Sequence, residues 1–253
     1  MPKVIIDKKS YHYAASAPAS DGENPLLFIH GSGGSQAIWT NQLAGLGQNF
    51  LTLAVDLPGH GDSEGAPCPE VEKYSDFIFD FTERALGAKV ILAGHSLGGA
   101  IAIDFALRFP DKLSGLILIC TGAKLRVSPF ILENCKAGKL FPESVNFSYS
   151  DFASPDLKKQ AILELENTDP HIYYNDFLAC DNFNRLDRIG IITLPTLVIG
   201  AANDLLTPAK YSQYLADNIP NSQLRIIEQS GHMVMREQPE QVNALIKEFV
   251  MSL

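Results

Sequence analysis

Three side chains spaced along this chain carry the chemistry that a hydrolytic site needs. They are Ser96 in "LAGHSLGG", Asp204 in "VIGAANDLLTP" and His232 in "IIEQSGHMV". A serine hydroxyl is a weak nucleophile unless a base takes its proton and a third group orients that base. A serine, an acid and a histidine in that order form such a set. Each also has a plainer explanation. Ser96 fits a helix N-cap after a glycine turn, Asp204 a loop or capping residue ahead of Pro208, and His232 an ordinary loop histidine. The elements around the three residues decide between these explanations.

Short apolar runs rich in Val, Ile and Leu recur as "KVIID", "LLFIH", "FLTLAVD", "KVILAG", "LSGLILIC", "PTLVIG" and "SQLRIIE". Without strict alternation, they read as strands buried on both faces of a parallel sheet. Helix-compatible stretches lie between them, at roughly 36–48, 74–86, 97–109, 209–218 and 239–251. The pattern predicts an α/β fold with a mostly parallel sheet of about eight strands covered by helices. The first run and "SYHYAA" are expected to pair as an antiparallel edge hairpin.

Ser96 then stands where a buried strand turns into an Ala-rich helix, within Gly94-His95-Ser96-Leu97-Gly98. That strand–turn–helix context is what the Gly-x-Ser-x-Gly nucleophile elbow requires, with small neighbours so that strand and helix can approach closely. Asp204 and His232 each follow a later strand, at the carboxyl edge where open α/β sheets bind ligands. The strand end "LILIC" is followed by Thr121-Gly122-Ala123 and offers no competing carboxylate. Acyl transfer also needs donors for a developing oxyanion, and the amide of Leu97, at the helix start after the nucleophile, is the first candidate.

The regular alternation breaks between Lys124 and Arg188, where aromatics, Pro, Asn and charge take over. "SPFILENCKAGKLF" and "SPDLKKQAILELENT" each open with Ser-Pro, a usable helix start. A helical cap at 124–188, inserted into a core of 1–123 and 189–253, is the expected organisation, because a structureless loop of that length is improbable in a compact domain. Its aromatics should pack mostly into a small core of their own, with Phe130 and Tyr173, and Met233 beside the histidine, as candidates to line a pocket. His171 and Asp176 are polar groups that fit either ligand contact or an ordinary helix surface.

The bulk composition narrows the function classes. A chain of 253 residues, 46% hydrophobic and 19% charged, reads as a soluble globular protein. A formal net charge of −9 with scattered lysines and arginines argues against nucleic acid as a partner. No apolar stretch reaches membrane-spanning length and the first apolar run is too short for a signal peptide, so a cytoplasmic protein with no membrane association is expected. Cys68, Cys120, Cys135 and Cys180 show no C-x-x-C pairing and read as reduced packing residues. No histidines sit at metal-ligand spacing and no phosphate-cradling loop is visible, so neither metal nor cofactor is expected. The oligomeric state is not legible.

The motifs "HGSGGS" at 30–35, "DLPGHGDS" at 56–63, "GHSLGG" at 94–99, "GAANDLLTP" at 200–208 and "SGHMVMREQPEQVNALIKEF" at 230–249 resemble the α/β-hydrolase superfamily over nearly the whole chain. The resemblance is to its serine-nucleophile branch with a helical cap, since relatives acting on haloalkanes or epoxides carry aspartate where this chain has Ser96. It implies that the amide of Ser32 is the second oxyanion donor and that the loop with His60 and Asp62 is mainly architectural. Trp39 reads as a packing residue. The passage "DPHIYYNDFLACDNFNRLDRI" is similar to caps of the group holding small carboxylesterases, enol-lactone hydrolases and carbon–carbon bond hydrolases. The expected activity is hydrolysis of a small carboxylic ester through an acyl-enzyme. Lactone or carbon–carbon bond cleavage on the same triad is the alternative, and a non-catalytic ligand receptor a more distant one.

Overall fold

The computed structural model describes residues 2–16 and 25–253. Part of the expected 1–123 core range therefore lies outside the described residues. The strands are β1 (Lys3–Ile6), β2 (Lys9–Ala15), β3 (Leu26–Ile29), β4 (Thr52–Val55), β5 (Val90–His95), β6 (Leu113–Ile119), β7 (Thr196–Ala201) and β8 (Ser222–Ile227). They form one sheet in the order β1-β2-β4-β3-β5-β6-β7-β8. β1 and β2 pair antiparallel, as do β2 and β4, and every later pairing is parallel. The expected edge hairpin and strands are all present, but the edge strands β1 and β8 are only partly buried, since each has a neighbour on one side alone.

The apolar runs lack alternation because both sheet faces are covered, yet the faces still sort residues with a period of two. Leu27, Ile29, Leu53, Val55, Leu92, Leu116 and Leu118 pack on one side. Leu26, Phe28, Ala54, Ile91, Ala93, Ile117 and Ile119 pack on the other. The helices of the first half are α1 (Thr40–Leu46), α2 (Val71–Ala85) and α3 (Leu97–Arg108). α2 and α3 cover the first face, and α3 is buried along almost its full length. Trp39 is fully buried against Phe28 with ring centroids 4.8 Å apart, a packing role as expected.

Between β6 and β7 lie α4 (Pro129–Lys136), α5 (Val145–Ser148), α6 (Pro155–Glu166) and α7 (Pro170–Asn182). Proline occupies the first turn of α4, α6 and α7, where its missing N–H is no loss. Ser154 caps Leu157 N and Asp169 caps His171 N with side-chain oxygens. Val145, Tyr149, Ala161 and Leu165 form a small separate core, with Tyr173 and Met233 against it. α7 is different, because Ala179, Cys180 and Phe183 pack into the main core. The roots of the insertion are joined by a bridge between Lys124 and Asn184 and by Arg185 N–H donating to Ala123 O at 2.7 Å.

The chain finishes with α8 (Ala209–Asn218), α9 (Val234–Glu237) and α10 (Pro239–Met251). α10 covers the second sheet face through Val242, Ile246 and Phe249. Among the described residues no helix is long and apolar enough to cross a membrane.

Candidate active site

The loops after β3, β5, β7 and β8 converge at the carboxyl edge of the sheet. Ser96 follows β5 with φ 53° and ψ −116°, a conformation that non-glycine residues rarely hold. Its N–H donates to Ile119 O at 3.1 Å, and its carbonyl accepts from Thr121 Oγ1 at 2.8 Å, so the turn is held from both sides. The motif glycines permit this geometry. A Cβ on Gly98 would lie 2.4 Å from Ile29 O, and one on Gly94 2.1 Å from Gly98 O. Ser96 makes no side-chain cap to α3, so the plain N-cap explanation of this serine is not what the structure contains.

Asp204 and His232 are buried and joined, His232 Nδ1 donating to Asp204 Oδ2 at 2.8 Å. Thr207 Oγ1 donates to the same oxygen at 2.7 Å, and the amides of Leu206 and Thr207 donate to Oδ1, each at 2.8 Å. Burial works against the charge on Asp204, but His232 and these donors outweigh it and hold the carboxyl well below the usual carboxylate range. With Nδ1 committed to Asp204, the lone pair of His232 sits on Nε2. The His232 ring packs beside that of His95, the neighbour of Ser96, with centroids 4.6 Å apart. His95 Nε2–H donates to His232 O at 2.9 Å, and burial and the nearby His232 keep His95 neutral. Among the described residues Ser96 Oγ makes no hydrogen bond. Serine–histidine contacts in such sites commonly tighten only with substrate in place.

The loop after β3 presses on the elbow, a Cβ on Gly31 lying 3.2 Å from Ser96 Cβ. Among the described residues the amides of Ser32 and Leu97 donate to no protein acceptor. Leu97 is fully buried at the first position of α3. His30 anchors the loop, donating from Nδ1 to Gly31 O and accepting Leu57 N–H at Nε2. Burial and the adjacent His60 lower the His30 pKa to about 3, which keeps it neutral for this dual role.

Asp176 sits elsewhere than expected. It is fully buried, with Oδ2 accepting from Gly33 N–H at 2.8 Å and from His60 Nε2 at 2.8 Å, while Oδ1 accepts from Tyr74 O–H at 2.7 Å. One carboxylate on α7 thus joins the loop after β3, the "PGHG" loop and α2. Burial disfavours a charged His60, but Asp176 and its hydrogen bond reverse that and raise the His60 pKa. Asp176 is a helix residue as expected but not a surface one, because its three donors leave no face open to solvent. A second carboxylate, Glu237, accepts from Gly231 N–H at 3.0 Å and from Ser150 Oγ at 2.5 Å, tying the histidine loop to the insertion. Nothing local in the sequence signals either link.

The pocket candidates divide. Tyr173 lies over the loop after β3, its ring 2.2–2.6 Å from where a Cβ on Gly33 would be, and Gly33 itself has φ 65°. Met233 is half-buried beside the insertion, its N–H donating to Ser148 O at 3.0 Å. Phe130 does not join them. It is 65% exposed and stacks on Phe141 at the surface of α4. His171 is exposed at the start of α7. Cys120 is buried as expected, but its thiol lies within 4.8 Å of the Asp204 and His232 ligand atoms. Burial and the Asp204 carboxylate push the Cys120 pKa well up, so the sulfur is a thiol. A metal there would need the thiolate and would have to break the Asp204–His232 bond, a poor fit for an ion.

The elbow, the fold and the Asp204–His232 couple together describe a hydrolase, and the sequence profile of the alpha/beta hydrolase family matches residues 26–245. The chain belongs to that family. A thermophilic esterase of known structure is 30% identical and superposes with a TM-score of 0.86, over 99% of this chain and 97% of that one. The enol-lactonase from Burkholderia xenovorans LB400 shares the fold, with a TM-score of 0.88 at 19% identity over 99% of this chain and 100% of that one. A dihydrolipoyllysine-residue acetyltransferase component of an acetoin cleaving system from Pseudomonas putida is 28% identical over 91% of this chain. This chain spans 64% of that relative's length.

Proposed function

We propose that the protein is a serine hydrolase that cleaves a small carboxylic ester through an acyl-enzyme. The observation that carries the reading is the strained Ser96, whose neighbour His95 packs against the His232 ring of a buried Asp204–His232 couple, with the Ser32 and Leu97 amides uncommitted. Ser96 Oγ attacks the acyl carbonyl, and His232 Nε2 takes its proton. Asp204 holds the imidazole in the required tautomer and stabilises the cation that forms. The amides of Ser32 and Leu97 receive the oxyanion, while the dipole of α3 favours negative charge at the same point. His232 returns the proton to the leaving alcohol. Water, deprotonated by the same base, then releases the acid.

In this reading the β6–β7 insertion is the cap that roofs the site, with Tyr173 and Met233 facing the acyl group. A lactone is an internal ester and would be opened by the same steps. Fluorophosphonate labelling and turnover of a short p-nitrophenyl ester provide the test. Wild type should label and turn over, and Ser96→Ala should lose roughly 10⁴-fold or more in kcat while remaining folded. Activity that survives in Ser96→Ala removes the reading. Rates on simple esters, lactones and a vinylogous diketone then separate the esterase from its lactonase and carbon–carbon hydrolase counterparts.

A further inference from the structure

We propose that Asp176, on the inserted helix α7, is a positioning residue that fixes which amide of the loop after β3 is offered to the oxyanion. The inference rests on the serine-hydrolase reading above. Gly31 presses on the elbow and is followed in the same loop by Ser32 and Gly33, whose successive amides are the two candidates for the same negative charge. Gly33 N–H is consumed by Asp176 Oδ2 at 2.8 Å, which leaves Ser32 N–H free. The same bond holds Gly33 at φ 65°, the left-handed turn that sets the direction of the peptide before it.

The carboxylate is itself immobile. His60 and Tyr74 fix its two oxygens from two further elements, and Ala179 and Cys180, one turn along α7, are packed into the main core. A lone carboxylate so close to the oxyanion would oppose it. The charge is instead shared with the His60 imidazole at 2.8 Å, so Asp176 can orient the loop without making that position hostile to an anion. Ser32 is held on its other side as well, its Oγ lying 3.7 Å from Cys180 Sγ, again on α7. The insertion is therefore part of the oxyanion apparatus as well as a roof. Lifting α7 would carry the donor loop with it.

The test compares Asp176→Ala and Asp176→Asn with wild type on a short p-nitrophenyl ester. Inhibition by a trifluoromethyl ketone, which forms a tetrahedral adduct on the serine, is measured beside it. Asp176→Ala should lower kcat by about tenfold to a hundredfold, less than the roughly 10²–10³-fold cost of deleting a donor outright. The ketone Ki should rise by the same factor while KM stays within about twofold, because the defect is confined to the tetrahedral state. Asp176→Asn keeps an oxygen for Gly33 N–H and should recover to within about fivefold of wild type. Unchanged kcat in Asp176→Ala, or a loss of kcat without a matching change in ketone Ki, overturns the proposal.

A measurement on wild type decides the matter even if the alanine variant does not fold. On formation of the ketone adduct, the amide resonances of Ser32 and Leu97 should move strongly downfield and that of Gly33 should not. Movement of Gly33 in place of Ser32 overturns the proposal. Fluorophosphonate labelling separates the two possible failures. Absent labelling of wild type removes the serine-hydrolase reading, whereas normal labelling with an unaffected Asp176→Ala removes the role of Asp176 alone.

Discussion

Two buried carboxylates border the site, and they draw their hydrogen-bond donors from different ranges of the chain. Asp204 lies in the loop after β7 and accepts from His232 Nδ1, Thr207 Oγ1 and two amides within three residues. Asp176 lies on α7 and accepts from Gly33, His60 and Tyr74, which are 143, 116 and 102 residues away in sequence. Apart from His232, the surroundings of Asp204 are local, so a strand end followed by "NDLLTP" carries a visible signature. The surroundings of Asp176 are wholly non-local, and "YYNDFLAC" reads like any amphipathic helix. The difference teaches that the surroundings of Asp204 are written largely in local sequence here, whereas support of the loop after β3 is assembled from distant parts.

The largest contrast should come from replacing each acid by its amide. Asp204→Asn is expected to lower kcat by about 10⁴-fold, because an amide cannot hold the imidazole in the tautomer that bares Nε2. Asp176→Asn should stay within about fivefold of wild type, since its bonds to the loop have neutral equivalents. Steady-state kinetics on one ester checks both. Similar losses in the two variants would break the comparison.

Deleting single hydroxyl donors sharpens it. Tyr74→Phe removes the O–H bonded to Asp176 Oδ1 and should destabilise the fold by about 1.5–3 kcal/mol, the usual worth of a hydrogen bond to a charged group. Thr207→Val removes the O–H bonded to Asp204 Oδ2 and should act on kcat as well as on stability. Denaturant melts alongside kinetics distinguish the two outcomes. A Thr207→Val variant that loses stability with unaltered kcat would show that His232 orients Asp204 without help.

The pH dependence of stability should differ in sign. The Asp204 carboxyl is held below its unfolded value, so its contribution is present above the ordinary carboxylate pKa and is lost as pH falls through the folded value. The His60 pKa is raised by Asp176, so its contribution is full below the ordinary histidine pKa and fades as pH rises through the higher folded value. Thermal melts should therefore show the wild-type advantage over Asp204→Asn vanishing in acid. The advantage over His60→Gln should shrink in the alkaline direction. Parallel pH profiles for the two variants would contradict the assignment.

The smallest effect belongs to Phe130. Its ring is exposed, and Phe130→Ser is expected to change stability by within about 0.5 kcal/mol and to leave kcat and KM unaltered. A clear rise in KM would return Phe130 to the pocket.

Much of the fold was legible because burial on both sheet faces forces apolar runs: seven of the eight strands fall on such runs, and β2 falls on the expected hairpin partner "SYHYAA". Boundaries moved where tertiary context intervened. The stretch 36–48 divides into a tight 3-10 turn at Gln36–Trp39 and then α1, because Trp39 must reach Phe28. α2 begins at Val71, earlier than the periodicity suggests, since Val71 and Tyr74 are buried in the main core. In the insertion, Ser-Pro marked two helix starts, while the Asp169-Pro170 start of α7 carried the same cue in a different residue. Phe130 and Tyr173 could not be told apart as pocket residues, because aromatic composition is silent about which way a helix faces.

The sequence by itself determined the sheet, the elbow at Ser96 and the order of Ser96, Asp204 and His232, because each depends on contacts within a few residues or on a repeating pattern of burial. The tertiary structure alone decided what joins them. It placed Gly33, His60 and Tyr74 on one carboxylate, set Glu237 between Ser150 and Gly231, and turned Tyr173 inward and Phe130 outward. The physical reason is range. Backbone strain and hydrophobic period act locally, whereas a buried charge is satisfied by whatever donors the completed fold brings to it.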